Sequence, residues 1–187
     1  VDQMMLAMDL PAPGIGQVKH WIGNGAPVLI KRALNNALAV EPTDRQFSEA
    51  KRHFNRIYAD NLACSSVLYE GVRETLLQLK EREIPMVCIT NKPGDFTQPL
   101  IDHLAMQEFF CLLLSGDSLP HKKPHPAPLL HAADFCGTPI TNCLMVGDSK
   151  NDVQAAKAAG CPVVAVDYGY NHGEQITLSM PNNTISH

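Results

Sequence analysis

Cys143-Leu144-Met145-Val146-Gly147-Asp148-Ser149-Lys150-Asn151-Asp152, continued by Val153-Gln154-Ala155-Ala156-Lys157-Ala158-Ala159-Gly160, decides how the rest of the chain is read. A short apolar run ending in Gly-Asp, then an Ala-rich segment stopped by Gly, predicts a buried strand, a tight turn and a capped helix. Gly147 is expected to let the backbone turn where the strand stops. Asp148 then projects from the strand's carboxyl end, the edge where open α/β sheets place ligands. Asp152 falls in the first helical turn, where a carboxylate also suits the helix dipole. Two carboxylates at that edge make a hard, oxygen-rich site suited to magnesium. The plainer alternative is that Asp148 caps the helix while Asp152 complements its dipole.

Composition narrows the field. The 187 residues suffice for one full domain, or one plus a small insertion. An apolar content of 45% and a charged content of 18% are those of an ordinary globular protein. A net charge of -4 gives no electrostatic case for nucleic acid or an anionic membrane surface as partner. No apolar run is long enough to span a bilayer, and no signal peptide opens the sequence. The six cysteines form no CxxC pair, and Cys88, Cys111 and Cys143 lie in apolar, strand-like runs. They are expected to be small buried core residues in a reduced, cytoplasmic compartment. His121 and His125 are four apart, but Pro124 between them argues against a shared helical face for metal.

Residues 1–62 contain no strand pattern. Met4, Met5, Leu6 and Met8 have near-helical spacing, and Trp21-Ile22-Gly23-Asn24-Gly25 predicts a tight loop. A helix follows with Val28, Leu29, Leu34 and Leu38 as its apolar stripe. Thr43 to Leu62 is a second amphipathic stretch, with Phe47, Ala50, Phe54, Ile57 and Tyr58 on one side. Thr43 and Gln46 have capping-box spacing. From about Leu68 the pattern changes to alternating helices and strands. Helices are predicted over 72–83, 96–104, 126–135 and 151–159, with strands over 85–90, 109–114, 143–146 and 163–166. That alternation predicts a doubly wound parallel, Rossmann-like sheet, preceded by a helical block.

Three strand ends bring different chemistry to one edge. Thr90-Asn91-Lys92-Pro93 offers a hydroxyl, an amide and turn N–H groups to a phosphate. His121-Lys122-Lys123-Pro124-His125-Pro126 follows the second strand, and its prolines restrict the loop that holds Lys123. A fixed ammonium group there suits a phosphoryl oxygen. Separately, these segments read as a capped loop and a solvated basic turn. Together with Asp148 and Asp152 they predict a magnesium-and-phosphate site.

Ile89-Thr90-Asn91, Lys122-Lys123-Pro124-His125-Pro126 and Val146-Gly147-Asp148-Ser149-Lys150-Asn151-Asp152 resemble the second, third and fourth motifs of the haloacid dehalogenase-like hydrolases. Trp21-Ile-Gly-Asn-Gly-Ala, Thr90-Asn-Lys-Pro, Gly160-Cys-Pro and Tyr168-Gly-Tyr-Asn further resemble the bacterial phosphoglycolate phosphatases, over essentially the whole chain. The resemblance implies magnesium-dependent hydrolysis of a small phosphorylated metabolite, 2-phosphoglycolate, to glycolate and phosphate. In such enzymes one aspartate attacks phosphorus and a second, two residues later, protonates the leaving oxygen. It further implies that Thr90 and Asn91 bind phosphate and that Lys123 neutralises charge. Asp148 would ligate Mg2+, with Asp152 in its outer shell or on Lys123. Residues 1–67 would form a helical cap, with Trp21, Gly23 and Asn24 facing substrate, and residues 68–187 a Rossmann-like hydrolase core.

The family's first motif, a strand ending Asp-x-Asp-Gly-Thr, has no counterpart. Asp2 and Asp9 are the early aspartates, and neither follows an apolar strand or precedes Gly-Thr. The sheet is therefore expected to be incomplete, lacking the central strand between those ending at Thr90 and Gly147. The chain is expected to be a truncated form without phosphatase activity of its own. Two further readings are a non-catalytic Mg- and phosphate-binding module and a related hydrolase acting on another small sugar or acid phosphate. A receiver-like signalling domain shares the acidic magnesium site and lysine, but the helical block counts against it. The sequence is silent on oligomeric state.

Overall fold

The computed structural model describes residues 1–62, 66–171 and 173–186; Cys64 lies outside them. Helices α1 (Asp2–Leu6), α2 (Gly14–Lys19), α3 (Ala26–Leu38) and α4 (Asp44–Asn61) come first. No strand occurs among the described residues of this block. Met4, Met5, Ile30, Ala33, Leu34, Ala50 and Phe54 build one apolar core from it, with Trp21, Leu29, Phe47, Ile57 and Tyr58 packed around. The stripe on α3 differs from the expected one. Ile30, Ala33 and Leu34 are wholly excluded from solvent, whereas Val28 is 36% exposed. Val28 lies two residues, about 200° of helical rotation, from Ile30 and so faces away from α4. The capping box of α4 forms as expected: Gln46 N donates to Thr43 Oγ1 at 3.3 Å, and Thr43 N donates to Gln46 Oε1 at 2.9 Å.

The α/β part follows as α5 (Val72–Glu81), β1 (Val87–Ile89), α6 (Gly94–His103), β2 (Leu112–Leu114), α7 (Ala127–Phe135), β3 (Met145–Gly147), α8 (Lys150–Ala159), β4 (Val163–Val166) and β5 (Asn183–Ile185). All strand pairings among the described residues are parallel. Val87 to Ile89 lie against Leu112 to Leu114, Met145 to Gly147 against Val163 to Ala165, and Val164 to Val166 against Asn183 to Ile185. The expected single sheet is divided, into β1-β2 and β3-β4-β5. One edge of β1 and one edge of β3 carry no strand among the described residues. This division falls where the central strand was expected to be lacking.

The division corrects two expectations about burial. Residues of β1 are half-buried rather than covered on both faces. Leu144 and Val146, beside and within β3, are 60% and 58% exposed. Neighbouring strands shield each other's side chains, and an open edge removes that shield. Cys111 is likewise exposed, not buried, because it precedes β2 rather than sitting within it. The segment before β2 spends Phe109 in a short 3-10 turn (Gln107–Phe109), where the ring is buried instead of extending the strand. Strand β5 has no apolar run to announce it; its ladder with β4 creates it.

Two apolar cores hold this part together. Leu129, Val153, Ala155, Ala156, Cys161, Val163, Ala165 and Ile176 form one, with Ile89 and Met145 against it. Ile101, Met106 and Phe109 centre the other. Ile89 on β1 and Met145 on β3 thus share a core even though their strands are not paired, which keeps the two strand ends close.

Candidate functional site

Gly147 ends β3 at the point where α8 turns back over it. A Cβ on Gly147 would lie 2.5 Å from Asp152 Cβ, so the glycine is required by close approach. Its φ is not positive, which corrects the expectation of a turn residue. Ser149 precedes α8, and Asp152 reaches back around it. Asp152 Oδ2 accepts from Asp148 N at 3.1 Å, Ser149 N at 3.0 Å and Ser149 Oγ at 2.8 Å. Ser149 N is one of the orphan groups of a helix start, and a carboxylate that accepts from it has the helix dipole in its favour.

The second oxygen of Asp152 meets a lysine. Asp152 Oδ1 lies 2.7 Å from Lys123 Nζ, with both side chains nearly sealed from solvent. Lys123 Nζ also donates to Ile89 O at 2.6 Å, on the open edge of β1. One ammonium group therefore ties β1 to the start of α8 across the gap between the sheets. Of its three N–H donors, two are used in this way. Thr90, one residue beyond β1, receives Lys92 N on its Oγ1 at 3.1 Å, so its hydroxyl proton is free to donate.

Thr90, Asn91, Lys123, Asp148 and Asp152 all line one cavity of about 430 Å³. The sequence placed these residues at separate strand ends, and the fold brings them together. Asp148 also borders a second, larger cleft shared with Lys19, His20, Tyr170 and Glu174.

Asn91 behaves differently from the expectation for a phosphate ligand. Its Nδ2 donates to Gly23 O at 3.2 Å and to Lys123 O at 2.9 Å, so both amide protons are spent. Its Oδ1 is buried and has no donor among the described residues. Only the backbone N–H is left to face an anion. Gly116 is forced to be glycine beside it, because a Cβ there would lie 2.4 Å from Asn91 O.

The loop from Trp21 to Gly25 covers the cavity with Gly23, as expected, but not with Trp21 or Asn24. Ile22, Gly23 and Gly25 line it. Trp21 instead packs on the helical core, and Asn24 Oδ1 accepts from Arg32 Nη1 at 3.1 Å. What holds this loop down is its backbone. Gly23 O accepts from Asn91 and, at 3.0 Å, from Asn151 Nδ2, while Asn24 O accepts from Lys122 Nζ at 3.1 Å. Asn151 and Lys122 were not singled out from the sequence, since nothing in their local pattern points to a partner more than ninety residues away.

Asp148 is half-buried, and its Oδ2 accepts from Tyr170 N at 2.8 Å. Gly169 lets that strand-end loop come close, since a Cβ on it would lie 2.2 Å from Asp148 Cβ. Burial pushes the Asp148 carboxyl above the usual carboxylate range, and Asp152 adds to the effect; Tyr170 N–H and Lys123 pull the other way. No cation pairs directly with it among the described residues. The folded pKa is raised, so ionised Asp148 opposes folding at neutral pH, and that penalty fades as pH falls toward the ordinary carboxylate value. Asp148→Asn keeps an acceptor for Tyr170 and is expected to raise the urea midpoint at pH 7. Its advantage over the parent should shrink as the titration is repeated toward pH 4; a constant offset would assign the gain to packing.

A carboxylate in this state suits a divalent cation. Magnesium is commonly held by one or two carboxylates, waters and substrate phosphate oxygens. Asp148 fits that role, and Asp152 is committed to Lys123 and the helix start. No cluster of three or more His, Cys, Asp or Glu side chains able to hold a metal occurs among the described residues. His121 and His125 stack their rings, with centroids 4.2 Å apart, in the loop rather than on a helix.

Comparison with known proteins agrees with this fold. Residues 7–160 match the family model of the haloacid dehalogenase-like hydrolases. The phosphoglycolate phosphatase of Pectobacterium atrosepticum is 46% identical over 182 residues, which cover 97% of this chain and 77% of that protein. That of Nitrosococcus oceani is 46% identical over 184 residues, covering 98% and 82%. A crystal structure of a predicted phosphoglycolate phosphatase from Haemophilus somnus superposes with a TM-score of 0.94 at 39% identity, covering 98% of this chain and 83% of that one. The family match over residues 7–160 and these relatives lead to one conclusion: the chain belongs to the haloacid dehalogenase-like hydrolases.

Proposed function

We propose that this chain carries the phosphate- and metal-holding part of a phosphoglycolate phosphatase site, for magnesium-dependent hydrolysis of 2-phosphoglycolate to glycolate and phosphate. The observation that carries the reading is the convergence of Thr90, Lys123 and Asp148 on one cavity beneath the Gly23 loop. The names of the relatives support the substrate. Thr90 Oγ donates its proton to a phosphoryl oxygen, and the remaining Lys123 N–H neutralises a second. Asp152 acts through Lys123, holding the ammonium group in place. Asp148 would hold Mg2+, which when bound polarises the phosphoryl group.

Residues 1–67 serve as the cap and 68–187 as the hydrolase core. The separate apolar core of the helical block supports that boundary. Gly23, clamped by Asn91 and Asn151, closes the cap over the cavity and excludes water. The free thiols among the described residues support a cytoplasmic setting. No helix among the described residues is long and apolar enough to cross a membrane.

Calorimetric titration with inorganic phosphate and with 2-phosphoglycolate tests the reading. Both are expected to bind more tightly when Mg2+ is present, and Asp148→Asn is expected to weaken the metal-dependent binding by roughly tenfold or more. Binding that ignores both the metal and the substitution would dismiss the site.

A further inference from the structure

Outside the cavity, two thiols stand side by side. Cys111 precedes β2 and is exposed, and Cys136 follows the last turn of α7. Their Sγ atoms are 3.9 Å apart. Neither lines the cavity or the adjoining cleft. Bonding would shorten this separation to the roughly 2 Å of a disulfide. Gly137 follows Cys136 with a φ of 60° and ends the helix, and a Cβ there would meet nothing within 4 Å. Cys88 and Cys143 are only half-exposed and Cys161 is buried, so Cys111 is the thiol most open to a reagent among the described residues.

We propose that Cys111 and Cys136 form a dithiol that is converted to an internal disulfide by exchange with a low-molecular-weight disulfide. The Cys111 thiolate attacks one sulfur of the reagent, breaking its S–S bond; the departing thiolate takes up a proton. Cys136 then gives up its proton, attacks the Cys111 sulfur of the mixed disulfide and expels the second reagent thiol. Two protein thiols are oxidised and one external disulfide is reduced to two thiols, so protons and electrons balance. The order follows from exposure, and burial raises the Cys136 thiol above its usual range, which disfavours it as the first thiol to attack the reagent.

The bridge has a structural consequence. It closes a loop over residues 112–135, which contains Lys123. Oxidation therefore staples β2 to α7 around the segment that carries the ammonium group of the site, without touching the cavity itself.

Treating the purified chain with oxidised glutathione and mapping its peptides by mass spectrometry tests the inference. The Cys111–Cys136 cross-link, lacking two hydrogens, is expected to form roughly tenfold or more faster than any other cysteine pair. Cys136→Ser should stall as a glutathione adduct on Cys111, and Cys111→Ser should form no such bridge. A parent chain that keeps glutathione on Cys111, or joins Cys136 to Cys143 or Cys64, would overturn it. Phosphate binding plays no part in this readout, so it stands or falls apart from the proposed phosphatase reading.

Discussion

Asp152→Ala is expected to destabilise the chain by about 3–5 kcal/mol, the range for breaking a buried ion pair on one side. Lys123 is 8% exposed and Asp152 4%, so the stranded ammonium group cannot turn to water. Its remaining partner would be the neutral Ile89 carbonyl. The substitution also strips three donors at the start of α8 of their acceptor. A surface pair gives the contrast. Lys150 and Glu174, 3.2 Å apart and partly exposed, should contribute less than about 1 kcal/mol. Urea unfolding followed by circular dichroism measures all of these. Asp152→Asn should fall between, since it keeps an acceptor for the helix start and loses the charge. A loss below about 1 kcal/mol for Asp152→Ala would mean that the pair does not hold the sheets together.

The second large effect concerns turnover. Supplied with magnesium and 2-phosphoglycolate, the 187-residue chain is expected to release no phosphate above background. Among the described residues lining the cavity, the carboxylates are Asp148 and Asp152. Asp152 is spent on Lys123 and the helix start, and Asp148 is the one suited to a cation. Neither is left to attack phosphorus, and with both committed no lining carboxylate remains to activate the Thr90 hydroxyl as a nucleophile. The open edges of β1 and β3 show where such a group would enter. An apolar strand ending Asp-x-Asp-Gly-Thr, joined ahead of Val1, would pair with both edges and cover Leu144 and Val146. It would place its first aspartate beside Thr90, Lys123 and Asp148. Turnover on the order of 1 s⁻¹ or faster is expected from that extended chain. It should vanish when that first aspartate is changed to Asn. Phosphate release by the unextended chain, at a rate unaffected by Asp148→Asn, would remove the basis for this assignment.

Several features were legible from local pattern alone. The Thr43-to-Gln46 capping box, the helix ending at Gly160 and the strand at Val163–Val166 occur where the sequence put them. Each depends on interactions spanning only a few residues. The strand-end order of hydroxyl, lysine and carboxylate pair was also readable, because parallel α/β topology sends successive strand ends to one edge.

Tertiary structure decided the rest, for a physical reason that recurs. Where a side chain's partner lies far along the chain, the sequence carries no signal of the pairing. Asn91 and Asn151 were drawn from phosphate and helix to the Gly23 carbonyl. Trp21 was taken by the apolar core of the helical block, and Cys111 was left at the surface by a strand that starts one residue later. Asp152 could have capped its helix, fixed a metal's waters or gripped Lys123, and only packing across the sheet gap selects the first and last together. The sequence alone determined the alternation, the caps and the residue types at each strand end, through short-range propensity and hydrophobic period. Which of those residues meet, and which become enclosed, was settled by burial, since a charge or amide removed from water must take whatever partner the fold places within reach.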